Sequence, residues 1–527
     1  MGRNRSIIKM TRKGSDRMLA TNEEMQRMDQ RAVEEGHVSM VQLMKQAADA
    51  LFEALCRRYG RTCRYGIFCG SGNNGGDGYA LALRMKAEGI SFVICSLREP
   101  RSACARHYAQ LLEESGEKVL ELSRYAQAIE AADVLVDALF GTGLNRTLSG
   151  DGAMLAAALN ASGKPIVAVD IPSGLDGDGT LRSDTVVRAS HTVTFECVKK
   201  GMLPYSSRIF CGRIECVPIG MPNEVKECAD PTIVLDPVNV RPLLPRRRAQ
   251  SHKGSYGRVL VIGGSRRMSG AVILCTRALL RSGAGLVTCL LPEDIHPIVA
   301  SQVIEAMYRP VPSDANGQLT EGCLRDVTWT DYDLIVAGNG MGRGEATRSI
   351  IRQILDSEVP CLLDGDAIYE AGVHDLLAPV RKKPVLLTPH MRELSYLCKE
   401  PVDLLREHPQ HSAQAFVRAH PYVTLVAKDD ITWICQQERL ALSIIGSDAL
   451  AKGGSGDVLC GMIAGLYAQS KDVFAAACAG VYAHAYAAQQ LAAHEDSMSV
   501  LASDLIEQLP KTYRSLRDRY CGRPDVL

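Results

Sequence analysis

The sequence carries no surplus of charge. Lys+Arg and Asp+Glu balance at 60 each, which removes the electrostatic case for wholesale binding to nucleic acid or anionic lipid and leaves room only for a local basic patch. No stretch approaches the ~18 unbroken apolar residues that a membrane helix needs, so no membrane partner is expected. None of the 18 cysteines forms a C-x-x-C pair, which excludes the commonest zinc and redox signatures. Cys69, Cys95, Cys289, Cys361 and Cys435 lie in or beside apolar runs. That is the placement of buried free thiols in a reducing compartment, and a cytoplasmic location is expected. Internal repeats and low-complexity tracts are missing too, and motif order differs between the halves, which argues against duplication.

What is present is enough for two cores. A chain of 527 residues, 46% hydrophobic and 23% charged, is globular in composition and too long for one ordinary domain. The first residues hold Arg3, Arg5, Lys9, Arg12, Lys13 and Arg17 without an apolar centre. Residues 1–17 are therefore expected as a disordered basic leader rather than a secretory signal. Met1-Gly2 with Ser6 fits a loose myristoylation pattern, read as chance.

From Glu23 to Arg58 the apolar spacing is helical. Apolar runs then alternate with helical patterns: Tyr65–Cys69, Ser91–Ser96, Val134–Leu139, Ile166–Asp170 and Thr192–Phe195. Runs without polar alternation read as parallel strands covered on both faces, so the first domain is a doubly wound, Rossmann-like α/β sheet. Five prolines between Pro222 and Pro245, closed by Arg246-Arg247-Arg248, interrupt the pattern. This is a linker or an extended segment, placing one domain at 18–222, the linker at 223–250 and a second domain at 251–515. The second α/β series runs through Arg258–Gly263, Gly285–Leu291, Leu334–Ala337, Val359–Asp364, Val385–Thr388 and Val423–Ala427, with a helical tail from Gly456.

The strongest local signal is Gly453-Gly454-Ser455-Gly456-Asp457 ahead of a helical pattern. Glycines let the backbone approach a phosphate, and the unpaired N–H groups of the helix start favour an anion there. Asp457, at that mouth, is placed to take a proton from a hydroxyl attacking phosphorus; the plainer reading is an ordinary capping turn. Its company favours the first. His252-Lys253-Gly254-Ser255-Tyr256-Gly257, Gly338-Asn339-Gly340-Met341-Gly342, Asp364-Gly365-Asp366, Thr388-Pro389-His390 with Glu393, and Lys428 all stand at strand boundaries. Ligands of open α/β sheets bind beyond the carboxyl ends of strands, so these clusters describe one cleft.

This succession resembles the ADP- or ATP-dependent NAD(P)H-hydrate dehydratases, over nearly all of 251–508. The resemblance implies a ribokinase-like α/β/α sandwich, ADP or ATP as co-substrate and Mg²⁺ as cofactor. The implied reaction phosphorylates the hydroxyl of a hydrated nicotinamide ring, after which phosphate leaves and NADH or NADPH is restored. It implies Asp457 as base, Gly456 at the nucleotide, and Ala271, Gly340, Gly342 and His390 lining the hydrate pocket. Lys428, Asp429, Asp430, Ile431 and Thr432 approach the AMP portion. Glu393 is a candidate to help hold Mg²⁺ and is equally explained as a helix-start acid. The family usually shows Gly-Pro-Gly-Leu-Gly where Asn339 and Met341 stand, Pro-Gly where Met391-Arg392 stand, and Gly where Asp429 stands. An acid at 429 is expected to disfavour a nearby phosphate.

In the first half, Gly70-Ser71-Gly72-Asn73-Asn74-Gly75 matches the generic G-x-G-x-x-G pattern, weak evidence by itself. The longer string Asn73-Asn74-Gly75-Gly76-Asp77-Gly78, then Asp137 to Arg146, then Val169 to Asp176, each follow an apolar strand and converge on one sheet edge. They resemble the NAD(P)H-hydrate epimerases, over roughly 18–222, as do Gly201-Met202-Leu203 and Ile219-Gly220-Met221-Pro222. The resemblance implies interconversion of the R and S forms of NADH hydrate and NADPH hydrate. Asn74, Asp137 and Ser173 match potassium ligands, hard oxygen donors suited to K⁺. Asn73, Asn74, Gly75, Gly76, Asp77, Gly141, Thr142, Gly143, Leu144, Asn145, Arg146, Thr147 and Asp170 match hydrate-binding positions, and Asp170 is the candidate for proton transfer. Together the halves are similar to the fused bifunctional repair enzymes, with small-molecule partners only and a homo-oligomeric state expected. The competing reading is a small-molecule kinase, for hydroxymethylpyrimidine or a sugar, joined to a non-catalytic binding module.

Overall fold

The computed structural model describes residues 17–35, 38–144, 146–179, 183–228, 230–377 and 381–518. The chain divides between Val234 and Leu235 into two compact units.

The first unit is built on a seven-stranded sheet. Its strands run in the order Leu120–Glu121, Phe92–Ser96, Tyr65–Cys69, Val134–Ala138, Ile166–Val169, His191–Phe195 and Arg213–Val217. Every neighbouring pair is parallel. The expected runs are strands because Val, Ile, Phe and Cys fill both faces; Tyr65–Cys69 and Val134–Ala138 are buried at every position. One apolar cluster covers each face, with Leu51, Phe52 and Tyr79 in one and Leu135, Leu155 and Leu159 in the other.

Several details differ from the sequence reading. The helical stretch 23–58 is two helices, Asn22–Glu34 and Met40–Tyr59, because Thr21 and Ser39 each start a capping box. The strand expected to reach Asp170 stops at Val169, since Asp170 takes a left-handed conformation with φ of 66°. The edge strand Arg213–Val217, with charged residues at alternate positions, had no apolar run to announce it.

Several stretches of 223–250 are built into elements. Ile233–Val234 pairs antiparallel with Arg17–Ala20, which also pairs in parallel with Cys197–Lys199. Beyond Leu235 the chain enters the second unit, where Asp236 caps a short helix and Val240, Leu243 and Leu244 join the core.

In the second unit the parallel strands lie in the order Met307–Val311, Leu286–Pro292, Arg258–Ile262, Leu334–Ala337, Cys361–Leu363, Val385–Leu387 and Val423–Lys428. The sheet continues through the antiparallel strands Thr432–Gln436 and Arg439–Ser443. The helix Ser455–Ser470 packs on Ser269–Arg281 so closely that a Cβ on Gly461 or Gly465 would run into the carbonyl oxygens of Cys275 and Leu279. That contact sets where the start of the Ser455–Ser470 helix stands. No helix among the described residues is long and apolar enough to cross a membrane. The described cysteines are free thiols, most of them buried.

Candidate active sites

Each sheet has a point where successive connections leave in opposite directions, and there the loops part into a crevice. In the second unit it lies between Arg258–Ile262 and Leu334–Ala337. The loop after Leu334–Ala337 holds Gly338 and Gly340 at φ of 117° and 70°, a pairing that turns the intervening Asn339 inward, where it is 1% exposed. Its Nδ2 donates to Asp457 Oδ1 at 2.7 Å and to Asp364 Oδ2 at 3.3 Å. Asp364 Oδ1 accepts from Thr388 Oγ1 at 2.7 Å and Lys428 Nζ at 3.2 Å. A Cβ on Gly456 would lie 3.4 Å from that Nζ. The structure thus brings Gly456, Asp457, Lys428, Asp364 and Asn339 into one cluster at the start of the Ser455–Ser470 helix.

The electrostatics follow from burial. Loss of water, reinforced by Asp364, pushes the Asp457 carboxyl up to about 7, against the opposing influence of Asn339 and Lys428. Burial works against the Lys428 ammonium, yet Asp364 and Glu393 more than offset it and its pKa rises.

Ala271 lies beside Gly340, 3.0 Å from where a Cβ there would sit, and Gly342 N donates to Asp366 Oδ2 at 2.8 Å. His390 is joined to the cluster by a bridge to Lys428, whose N donates to Pro389 O at 2.8 Å. Its Nδ1 accepts from Glu393 N at 3.2 Å, and Glu393 Oε2 accepts from His390 N at 2.9 Å. Glu393 is therefore engaged as a helix-start acid, and burial pushes it up to about 7. Asp429, Asp430 and Ile431 form the turn between Val423–Lys428 and Thr432–Gln436. The Asp429 carboxylate is not free to repel a phosphate, because Arg406 binds it through Nε at 3.1 Å and Nη2 at 3.3 Å.

In the first unit the corresponding crevice lies between Tyr65–Cys69 and Val134–Ala138. The helix Asn73–Ala87 starts there with no side-chain cap, its first N–H groups open. Asn74 is buried against Gly141, and its Nδ2 has no partner. Asp137 is fully buried; its oxygens accept from Ser173 Oγ at 2.6 Å, Ser173 N at 2.9 Å and Leu139 N at 3.2 Å. Burial lifts it to about 6 despite those donors. Phe140 N donates in turn to Ser173 Oγ at 2.9 Å, so Asn74, Asp137 and Ser173 gather about the loop 139–141.

Asp170 Oδ1 accepts from Thr194 Oγ1 at 3.0 Å, Phe195 N at 3.1 Å and the Lys199 ammonium. Asp77 is pushed well up by burial, and the charges it feels are those of Asp170, Asp29 and Lys199. Asn73, Gly75 and Gly76 stand in the same first turn as Asn74. Gly141, Thr142, Gly143, Leu144, Arg146 and Thr147 form a loop exposed in part, closed by Leu144 N to Gly141 O at 3.1 Å. Asn145 lies outside the described residues.

Sequence reasoning missed Lys199, and it placed Asn339 and Asp364 in the cleft without giving either a role. The charged residues Glu196 and Lys199 flanking Cys197-Val198 were the available signal for the first; a departure from the glycine-rich loop was the signal for the second. Among the described residues no group of three or more His, Cys, Asp or Glu side chains is arranged to hold a metal ion.

The comparisons agree with this division. Residues 259–511 match the family model described as NAD(P)H-hydrate dehydratase, and 40–201 match that of the YjeF-related protein N-terminus. The bifunctional NAD(P)H-hydrate repair enzyme Nnr of Moorella thermoacetica is 32% identical over 517 residues, covering 95% of this chain and 97% of that protein. The enzyme of the same name from Coxiella burnetii is 32% identical over 505 residues, covering 93% and 98%. Among solved structures, the ADP/ATP-dependent NAD(P)H-hydrate dehydratase from Bacillus subtilis is 29% identical, with a TM-score of 0.49, covering 55% of this chain and 100% of that one.

Proposed function

This chain belongs to the family of bifunctional NAD(P)H-hydrate repair enzymes, and from that premise we propose that it restores damaged nicotinamide cofactors in two reactions. The first unit interconverts the R and S hydrates of NADH and NADPH. The second removes water from the S hydrate at the expense of ADP or ATP.

The observation that carries the dehydratase reading is the Asp457 carboxyl at a glycine-opened helix start, held in one cluster with Lys428 and Asp364. A base near 7 is matched to a neutral-pH proton transfer. Asp457 takes the proton of the ring hydroxyl as that oxygen attacks the terminal phosphorus, and the bond from phosphorus to the nucleotide oxygen breaks. The C–O bond then breaks with phosphate as leaving group, and loss of a ring proton restores the double bond. Lys428 and the first-turn N–H groups supply positive charge where the phosphoryl group gathers negative charge. Among the described residues no carboxylate cage is built for Mg²⁺, so the ion would be held chiefly by the nucleotide's phosphates and would supply positive charge to them. Gly456 and the turn 428–432 take the nucleotide, while Ala271, Gly340, Gly342 and His390 line the hydrate side.

For the epimerase, Asp170 moves the proton and Asn73 to Asp77, with the loop 141–147, hold the hydrate. Potassium fits Asn74, Asp137 and Ser173: the donors are hard oxygens once the partnerless Asn74 amide turns its oxygen to the cation. Bound there, the cation supplies a fixed positive charge opposite the buried Asp137.

The test is incubation of the purified chain with mixed hydrates and each nucleotide, the products resolved by chromatography. Loss of both epimers with release of phosphate is expected, together with AMP when ADP is given. Accumulation of a phosphorylated substrate would instead identify a simple kinase.

A further inference from the structure

We propose that Asn339 is a positioning residue for dehydration, its amide gripping one oxygen of Asp457 so that the other is presented to the substrate hydroxyl. This rests on Asp457 being the base of that reaction.

The amide cannot be turned around. Carboxylates accept hydrogen bonds and do not donate them when ionised, so the nitrogen must face Asp457 and Asp364. From the opposite side the Cys460 thiol donates to Asn339 Oδ1 at 3.5 Å, consistent with the same orientation. Asn339 is 1% exposed, so water does not compete for its amide. Among the described residues Asp457 Oδ1 is occupied by this contact. Oδ2 accepts no hydrogen bond and is not among the buried orphan atoms, which leaves it open to the crevice.

The amide also separates two carboxylates. The groups facing Asp457 are Asp364 and Asp366 from one strand end and helix start, Lys428 from the neighbouring strand, and Cys460 one turn along its own helix. Lys428 makes its hydrogen bond to Asp364. Asn339 is thus the neutral donor that reaches both acids, and without it Lys428 alone opposes the repulsion that keeps Asp457 protonated. Its role is to hold the rotamer of the base and to keep a larger fraction of it in the proton-accepting form.

The test compares Asn339→Leu and Asn339→Ser with the parent in the full chain. Dehydration is measured across pH, with nucleotide affinity and hydrate epimerisation as internal controls for folding of each half. The expected result is a loss of about ten- to hundredfold in kcat, with the acid limb moved about one unit upward in pH. Nucleotide affinity and epimerisation stay unchanged. An acid limb that stays in place in both variants overturns the proposal, whatever happens to the rate. An inert parent chain would instead sink the functional reading on which it rests, and with it this proposal.

Discussion

Lys199 has no exposed surface, and its ammonium is satisfied inside the protein: it donates to Asp170, to Thr194 Oγ1 at 2.9 Å and to Phe195 O at 3.1 Å. A lysine is rarely buried so fully without an opposite charge in contact. Asp170 is in turn held at a left-handed φ of 66°, a conformation that costs a non-glycine residue free energy and tends to persist where function needs it.

Lys199→Met removes the partner and keeps most of the volume. Leaving the largely buried Asp170 without its charged partner is expected to cost about 3 kcal/mol of stability in the first unit, and epimerisation should fall at least about a hundredfold. Adding Asp170→Asn should return part of the stability and none of the activity. Calorimetry with a hydrate-conversion assay checks both; a double variant that regains epimerisation would remove Asp170 from the chemistry.

The pH dependence of dehydration has a definite sign. As the proposed base, Asp457 would act only when ionised, and burial places its pKa at about 7. The kcat/KM for dehydration should therefore rise with pH through that region and level off above it. Asp457→Asn should abolish the rise and leave a residual rate lower by about a hundredfold or more.

Arg406 pairs with Asp429, which would offset its charge beside the proposed nucleotide site. Arg406→Ala should weaken ADP and ATP binding by about two- to fivefold, most strongly at low salt. Asp429→Gly in that background should restore it, as titration calorimetry of the single and double variants will reveal.

Replacing potassium by a large organic cation should slow epimerisation and leave the chemistry of dehydration intact. Asp137→Asn should lose that ion response because it removes the anionic member of the set. Equal activity in both salts would count against a cation at Asn74, Asp137 and Ser173.

Much of this was legible in the sequence because apolar runs mark parallel strands and glycine-rich strings mark their carboxyl ends. The two crevices could be anticipated from Asn73–Asp77 and Gly453–Asp457 taken with the other strings at strand ends. The harder features were those made by tertiary contact. The Asp429–Arg406 pair joins residues 23 apart, and the Asn339–Asp457 bond joins residues 118 apart. Neither partner predicts the other from local pattern. The hairpin Thr432–Gln436 and Arg439–Ser443 and the edge strand Arg213–Val217 were missed because each carries polar residues. Segment 233–244 looked like a linker because prolines punctuate it, whereas its apolar side chains belong to a strand pair and a core.

The fit of Gly461 against the Cys275 carbonyl leaves no room for even one added carbon. Gly461 lies four residues beyond Asp457, about 6 Å along the helix axis. A methyl group placed at this remote seam would lever the whole rod, and the carboxylate at its tip would swing off target without any change to the groups that touch substrate. The reactive end of this helix is aimed from its middle.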